Sequence, residues 1–82
     1  MNLSPRVKRF LGKFEEPRTC NEVIDEIFEE DVNDGVALEK GPRYYNHLNK
    51  LPAVLWRNGY LDEVGEKPGP TGKWEKVWRR LK

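Results

Sequence analysis

Apolar residues recur with helical spacing near the start of the chain. Four of them lie at i, i+3, i+4 and i+7 and form one stripe of a helix: Val7, Phe10, Leu11 and Phe14. Ser4 and Pro5 predict where this helix begins, because a serine hydroxyl caps free N–H groups and proline tolerates the first helical position. Pro17 disfavours helical geometry in the residue before it, so we expect the helix to end near Glu16.

A second helix follows at once. Thr19 and Glu22 have the spacing of a capping box, in which a hydroxyl and a carboxylate each bond to a backbone N–H of the first turn. On a helical wheel the apolar residues gather on one side: Cys20, Val23, Ile24, Ile27 and Phe28. The acidic residues occupy the other side: Glu22, Asp25, Glu26, Glu29 and Glu30. We interpret the acidic side as a solvated helix face.

Turn residues separate the second helix from a third. We interpret residues 31–42 as a loop that holds at most one short strand, at the apolar residues 36–38. The third helix is predicted over residues 42–58, and Gly59 closes it. Its buried stripe is Tyr44, Leu48, Leu51 and Leu55. Pro52 removes one hydrogen bond within this helix, so we expect a kink there.

The last third of the chain is typical of a β-hairpin. Residues 60–64 are followed by the glycines and prolines of residues 65–72 and then by residues 73–82. The final segment also fits a helix, because four large apolar residues have helical spacing: Trp74, Val77, Trp78 and Leu81. We favour a strand, since tryptophan and valine prefer sheets and the first strand would otherwise lack a partner. The chain is short, so residues 1–82 are predicted to form a single domain.

The order helix, helix, helix, hairpin resembles the winged-helix family, and residues 44–81 carry the resemblance. Residues 48–61 look like the family's recognition helix and the first wing strand. Residues 67–72 look like the wing tip, and residues 76–81 are similar to the returning strand. The resemblance implies an α+β fold with three helices followed by a β-hairpin wing. It also implies a sequence-specific transcriptional regulator that binds double-stranded DNA.

Charge is segregated along the chain, although the net charge is only +1. Every charged residue in residues 21–39 is acidic, eight in all, whereas residues 40–82 carry ten basic and four acidic side chains. A nearly neutral total therefore combines an acidic part with a basic part that attracts phosphate.

The outward side of the third helix and the hairpin tip hold the candidate DNA contacts. The outward side has no acid, and its amide, basic and small residues suit the major groove: Asn46, Asn49, Lys50, Ala53 and Arg57, with Arg43 and Tyr45 beside them. Residues at the hairpin tip are predicted to contact the sugar-phosphate backbone: Lys67, Thr71 and Lys73. An ordinary solvated surface is the alternative for both elements.

Residues that carry catalytic or metal chemistry are few. Cys20 is the single cysteine and His47 the single histidine, so we expect no disulfide, no metal site, no cofactor and no catalytic residue. The protein is therefore predicted not to be an enzyme and to have no small-molecule substrate. No apolar run reaches the roughly 18 residues of a membrane span, so we expect no membrane partner and a cytoplasmic location.

Double-stranded DNA is the partner that the sequence favours. The main alternative is a winged-helix protein-interaction module that uses the acidic second helix, and a protein partner or a homodimer stays open with it. An RNA-binding module is a third possibility. The sequence predicts neither a target site nor an oligomeric state.

Overall fold

The computed structural model of the protein describes residues 2–81. Its elements follow one another as α1 (Pro5–Gly12), β1 (Arg18–Thr19), α2 (Cys20–Asn33), α3 (Ala37–Lys40), α4 (Pro42–Asn46), a 3₁₀ segment (His47–Lys50), α5 (Leu51–Arg57), β2 (Leu61–Pro68) and β3 (Trp74–Arg80). The strands form one antiparallel sheet in the order β1-β3-β2, so β3 is its central strand. The prediction of a small α+β domain is confirmed at this level.

The buried apolar residues form one core that draws on helices and sheet alike: Phe10, Leu11, Phe14, Val23, Ile27, Tyr45, Leu48, Leu55, Leu61 and Trp78. Phe10 and Phe14 are completely buried and meet edge to face, with ring centroids 5.1 Å apart. The first two apolar stripes therefore pack inward as the sequence predicted, except for Phe28, which is 46% exposed.

The first helix is shorter than predicted. Ser4 caps it, since its hydroxyl accepts a hydrogen bond from the Val7 N–H at 3.3 Å. It ends at Gly12 and not near Glu16, because glycine is a poor helix former and the next two N–H groups bond three residues back in a tight turn. This turn keeps Phe14 in the core and frees the chain for β1.

The two-residue strand β1 was not predicted. Arg18 pairs with Trp78 and Thr19 with Val77, so β1 covers the second edge of β3. Thr19 also caps α2: its hydroxyl accepts from the Glu22 N–H, and the Glu22 carboxylate accepts from the Thr19 N–H at 2.8 Å. The predicted capping box is confirmed.

Residues 37–40 are helical, and the prediction of a short strand at residues 36–38 is wrong. The sequence Ala-Leu-Glu-Lys consists of strong helix formers. Gly35 and Gly41 stand on either side of this turn with φ of 74°, a conformation that glycine adopts without strain. The connection between α2 and α4 is therefore a helical turn and not a strand.

The predicted third helix is interrupted one turn before Pro52. Proline has no N–H to donate to the Leu48 carbonyl, and the Leu51 N–H bonds to that carbonyl instead, which closes a 3₁₀ turn. The buried residues of this segment are Tyr45, Leu48, Pro52 and Leu55, whereas Tyr44 and Leu51 are only half-buried. The interruption at Pro52 is thus confirmed, but the inward stripe differs from the prediction at two positions.

The C-terminal segment is a strand, and the helical alternative for it is wrong. β2 and β3 pair along their length, and the register shifts between Glu63 and Gly65, so Val64 lies in a β-bulge. The turn between the strands is closed by a hydrogen bond from the Gly69 N–H to the Lys73 carbonyl at 2.7 Å. Lys82, the last residue of the predicted strand, lies outside the described residues, as does Met1.

Within residues 2–81, no helix is both long and apolar enough to cross a membrane.

Candidate nucleic-acid interface

The outer side of residues 42–57 is exposed to solvent. The exposed side chains include six of the residues that the sequence predicted to face outward: Arg43, Asn46, Asn49, Lys50, Ala53 and Arg57. No acidic residue occurs between Glu39 and Asp62. The surface of this segment therefore presents cations and amides without a carboxylate of its own.

Tyr45 does not belong to this surface, and its prediction as a DNA contact is wrong. It is 5% exposed, and its hydroxyl donates a hydrogen bond to the Asp31 carboxylate at 2.6 Å. Burial, followed by the hydrogen bond to Asp31, raises the pKa of Tyr45 to about 12, so the hydroxyl stays a donor at neutral pH. Tyr44 lies nearer the surface, where the Arg6 guanidinium stacks 4.4 Å above its ring centroid.

Four side chains line a shallow depression of about 350 Å³ on the outer side: Arg43, Asn46, His47 and Lys50. Two cations, an amide and an imidazole thus converge on one spot. These groups can bind phosphate oxygens or the acceptor atoms on base edges. His47 was not among the predicted contacts. A helical wheel could have indicated it, because His47 lies within about 60° of both Arg43 and Lys50.

Asn49 and Arg57 do not line this depression. Asn49 lies beside the start of α2, where its side-chain oxygen is 3.8 Å from the Cys20 Sγ. The Cys20 Sγ is also 3.7 Å from the Leu48 carbonyl, and burial raises the pKa of the thiol to about 12. Cys20 therefore joins α2 to the 3₁₀ segment, and its raised pKa disfavours the thiolate form.

The end of the hairpin next to its turn is tied to α2, which changes the role of Lys67. The Lys67 Nζ lies 2.8 Å from a Glu22 carboxylate oxygen, and Asn21 donates to Glu75 at 2.7 Å. Lys67 is thus a strand residue with an acidic partner, and not a free cation at the tip as predicted. Thr71 and Lys73 are exposed in the turn, where the sequence placed them.

The acidic side of α2 is not simply solvated, because four of its carboxylates form ion pairs. Three of these acids are half-exposed: Glu22 pairs with Lys67, Glu26 with Arg18 and Lys13, and Glu30 with Lys13 and Arg9. The fourth, Asp31, is buried and pairs with Arg9. By contrast, seven exposed bases make no ion pair within residues 2–81: Lys8, Lys40, Arg43, Lys50, Arg57, Lys73 and Arg79. Arg9, Lys13, Arg18 and Lys67 therefore balance α2, and the bases of the outer side and the turn are available to another anion.

These ion pairs lower the pKa values of the glutamates that form them. The pKa values of three carboxyls lie below the ordinary value: Glu22, Glu26 and Glu30. The largest cause in each case is a hydrogen bond from a base, donated by Lys67, Arg18 and Lys13 respectively. Since the charged forms are favoured only in the folded chain, these pairs link stability to pH.

Acidification is expected to destabilise the protein through these three carboxylates. Their contribution is complete above the ordinary glutamate pKa of about 4.3 and is lost as the pH falls through the lowered folded-state values. Melting temperatures from circular dichroism between about pH 7 and about pH 3 measure this loss. Glu30→Gln should lower the melting temperature at neutral pH and flatten the profile. Glu29→Gln is the matched control, since Glu29 is exposed and unpaired within residues 2–81; an equal change in both variants would contradict the assignment.

Comparison with protein-family models, with characterised proteins and with solved structures finds no match to this chain. Among residues 2–81, no three His, Cys, Asp or Glu side chains are grouped so that they could hold a metal ion. The interface is therefore interpreted from its own geometry and charge.

Proposed function

We propose that this chain is a winged-helix domain that binds double-stranded DNA as a sequence-specific transcriptional regulator. The segment from α4 to α5 enters the major groove, and the β2–β3 hairpin acts as the wing. The connectivity supports this proposal: a helix, a short strand, the helical segments from α2 to α5 and a hairpin, with the sheet order β1-β3-β2.

One observation carries the proposal. Arg43, Lys50 and Arg57 are exposed along one acid-free segment, and none of them makes an ion pair within residues 2–81. A guanidinium or ammonium group without a carboxylate partner is ready for phosphate, and a guanidinium binds phosphate with two parallel hydrogen bonds. The exposed side of α2 is different, since its acids would repel a DNA backbone.

The roles of the individual residues follow from their positions. Arg43, Asn46 and Lys50 meet in one depression and are the candidates for base contacts, with His47 beside them. The exposed Thr71 and Lys73 of the wing contact the sugar-phosphate backbone.

Duplex binding is expected to weaken steeply with salt. If about four to six phosphates are contacted, the logarithm of the affinity falls with the logarithm of the salt concentration at a slope of about −4 to −5. Fluorescence anisotropy of a labelled random duplex, measured across a potassium chloride series, gives this slope. No binding at low salt would contradict the proposal and would favour the protein-interaction alternative.

Substitutions in the helical segment and in the wing are expected to affect DNA binding in different ways. Lys73→Ala should weaken all duplexes alike and flatten the salt slope by about one unit, because a phosphate contact carries no sequence information. Arg43→Ala should cost about 1 to 3 kcal/mol on a site selected from random DNA and little on other sequences.

Two lysines provide the controls for these variants. Lys8→Ala removes an exposed base of α1 and should leave the affinity unchanged, whereas Lys67→Ala should have a smaller effect than Lys73→Ala because Glu22 already binds Lys67. An equal loss in all four variants would mean that binding reflects only net charge.

A further inference from the structure

A second concave surface lies on α2 and α3, apart from the candidate DNA interface. It is a groove of about 470 Å³ lined by Phe28, Val32, Gly35, Ala37, Leu38, Gly41 and Pro42. Three of these side chains are large, apolar and exposed: Phe28 at 46%, Val32 at 52% and Leu38 at 94%. The groove shares no lining residue with the depression around Arg43. A volume of this size matches that of sites that accept apolar groups.

The unpaired charges that adjoin this groove are mainly acidic. Of the two bases beside it, Lys40 lies with its Nζ 5.4 Å from the Tyr44 ring centroid, and Arg43 lines the other depression. Of the eight acids in residues 21–39, four are used in ion pairs within the chain, and the other four are exposed and unpaired within residues 2–81: Asp25, Glu29, Asp34 and Glu39.

Three of the four unpaired acids are placed beside lining residues, whereas Asp25 lines a separate depression between α2 and the hairpin. Glu29, Asp34 and Glu39 directly neighbour lining residues in sequence, and on the α2 wheel Glu29 lies about 60° from Val32. Most of the unpaired acidic charge is thus placed beside the apolar groove.

We infer that this groove binds a basic amphipathic helix of a partner protein. The apolar side of such a helix covers Phe28, Val32 and Leu38, and its lysines or arginines face the unpaired carboxylates. The same carboxylates repel DNA and anionic lipid headgroups, so charge complementarity selects a basic polypeptide. The groove contains none of the residues assigned to DNA contact, and the inference does not depend on DNA binding.

The probe for this inference is a synthetic amphipathic helix of about 15 residues, built from leucine, lysine and alanine with leucine at i, i+3, i+4 and i+7. A matched peptide carries glutamate in place of each lysine. Isothermal titration with the full chain should show saturable binding of the lysine peptide, weakened by salt, and no binding of the glutamate peptide. Amide shifts in nuclear magnetic resonance spectra should concentrate in residues 28–42.

Variants test both parts of the recognition. Leu38→Ser should weaken peptide binding by roughly tenfold or more, because it removes the most exposed apolar side chain of the groove. The combination of Glu29→Gln and Glu39→Gln should also weaken binding and flatten its salt dependence. Leu81→Ser is the matched control, since Leu81 is 59% exposed and does not line the groove; its affinity should equal that of the parent. Equal melting temperatures of Leu38→Ser and the parent show that folding is intact.

Three results would overturn the inference: no saturable peptide binding, equal affinity for both peptides, or an equal loss in Leu38→Ser and Leu81→Ser. A dimer in analytical ultracentrifugation that Leu38→Ser dissociates would also overturn it and assign the groove to a second copy of the chain. Duplex binding by Leu38→Ser should match that of the parent. Failure of the peptide-binding inference can therefore be distinguished from failure of the DNA proposal.

Discussion

Phe10→Ala should lower the free energy of unfolding by about 3 to 5 kcal/mol. Phe10 is completely buried at the edge of the Phe14 ring, in a core assembled from α1, α2, the segment after α4 and the sheet. Removing the ring leaves a cavity that a small domain refills only in part. The total stability of a domain of this size is on the order of 5 to 10 kcal/mol, so the variant should be near the limit of folding.

Urea denaturation followed by circular dichroism measures this loss. Leu38→Ala provides the control, since Leu38 is almost fully exposed and its truncation should change the stability by less than about 0.5 kcal/mol. A loss below about 1 kcal/mol for Phe10→Ala would mean that α1 does not close the core.

Features of the fold that depend on near neighbours in the sequence could be predicted. Ser4 and Thr19 cap the helices that they were expected to cap, because a cap requires only residues three positions apart. β1 could not be predicted in this way. Two residues are too few to show an alternating pattern, and Arg18 and Thr19 become a strand only because β3 offers its second edge.

Residues 42–57 show why a helical wheel is an incomplete guide to the site. The wheel assumes a regular helix, whereas the 3₁₀ turn before Pro52 changes the rotation of the residues ahead of it. Residues 44 and 45 are both tyrosines, so residue type does not indicate which of them points inward. Tyr45 is buried and its hydroxyl donates a hydrogen bond to Asp31, whereas Tyr44 lies nearer the surface beneath Arg6.

The charge distribution of the surface could not be predicted fully, because it depends on ion pairs between residues that are far apart in the sequence. Segregation of charge along the chain was visible in the sequence, but it did not reveal which acids meet bases. Glu22 meets Lys67 across 45 residues, which removes Lys67 from the free cations of the wing. The acids of α2 thereby divide into a paired set toward α1 and the hairpin and two unpaired ones, of which Glu29 adjoins the apolar groove and Asp25 the hairpin.

Asp31→Ala should lower the free energy of unfolding by about 2 to 4 kcal/mol. Asp31 is only 3% exposed and is the acceptor that joins three elements. It lies at the end of α2, 2.6 Å from the Tyr45 hydroxyl of α4 and 2.9 Å from a guanidinium nitrogen of Arg9 in α1. Without it the tyrosine hydroxyl is buried and lacks an acceptor, while Arg9 keeps only its half-exposed pair with Glu30.

A double-mutant cycle with Tyr45→Phe isolates the hydrogen bond. Tyr45→Phe alone should cost about 1 to 2 kcal/mol, because it leaves part of the Asp31 carboxylate without its donor. The pair of substitutions together should cost about 1 kcal/mol less than the sum of the two, since each removes the partner that the other leaves unsatisfied. Asp25→Ala is the matched control on the same helix: Asp25 is exposed and unpaired within residues 2–81, so its loss should change the stability by less than about 0.5 kcal/mol. If Asp31→Ala and Asp25→Ala were equally mild, the junction of α1, α2 and α4 would be held by the apolar core alone, and the candidate interface that begins at α4 would not depend on this carboxylate.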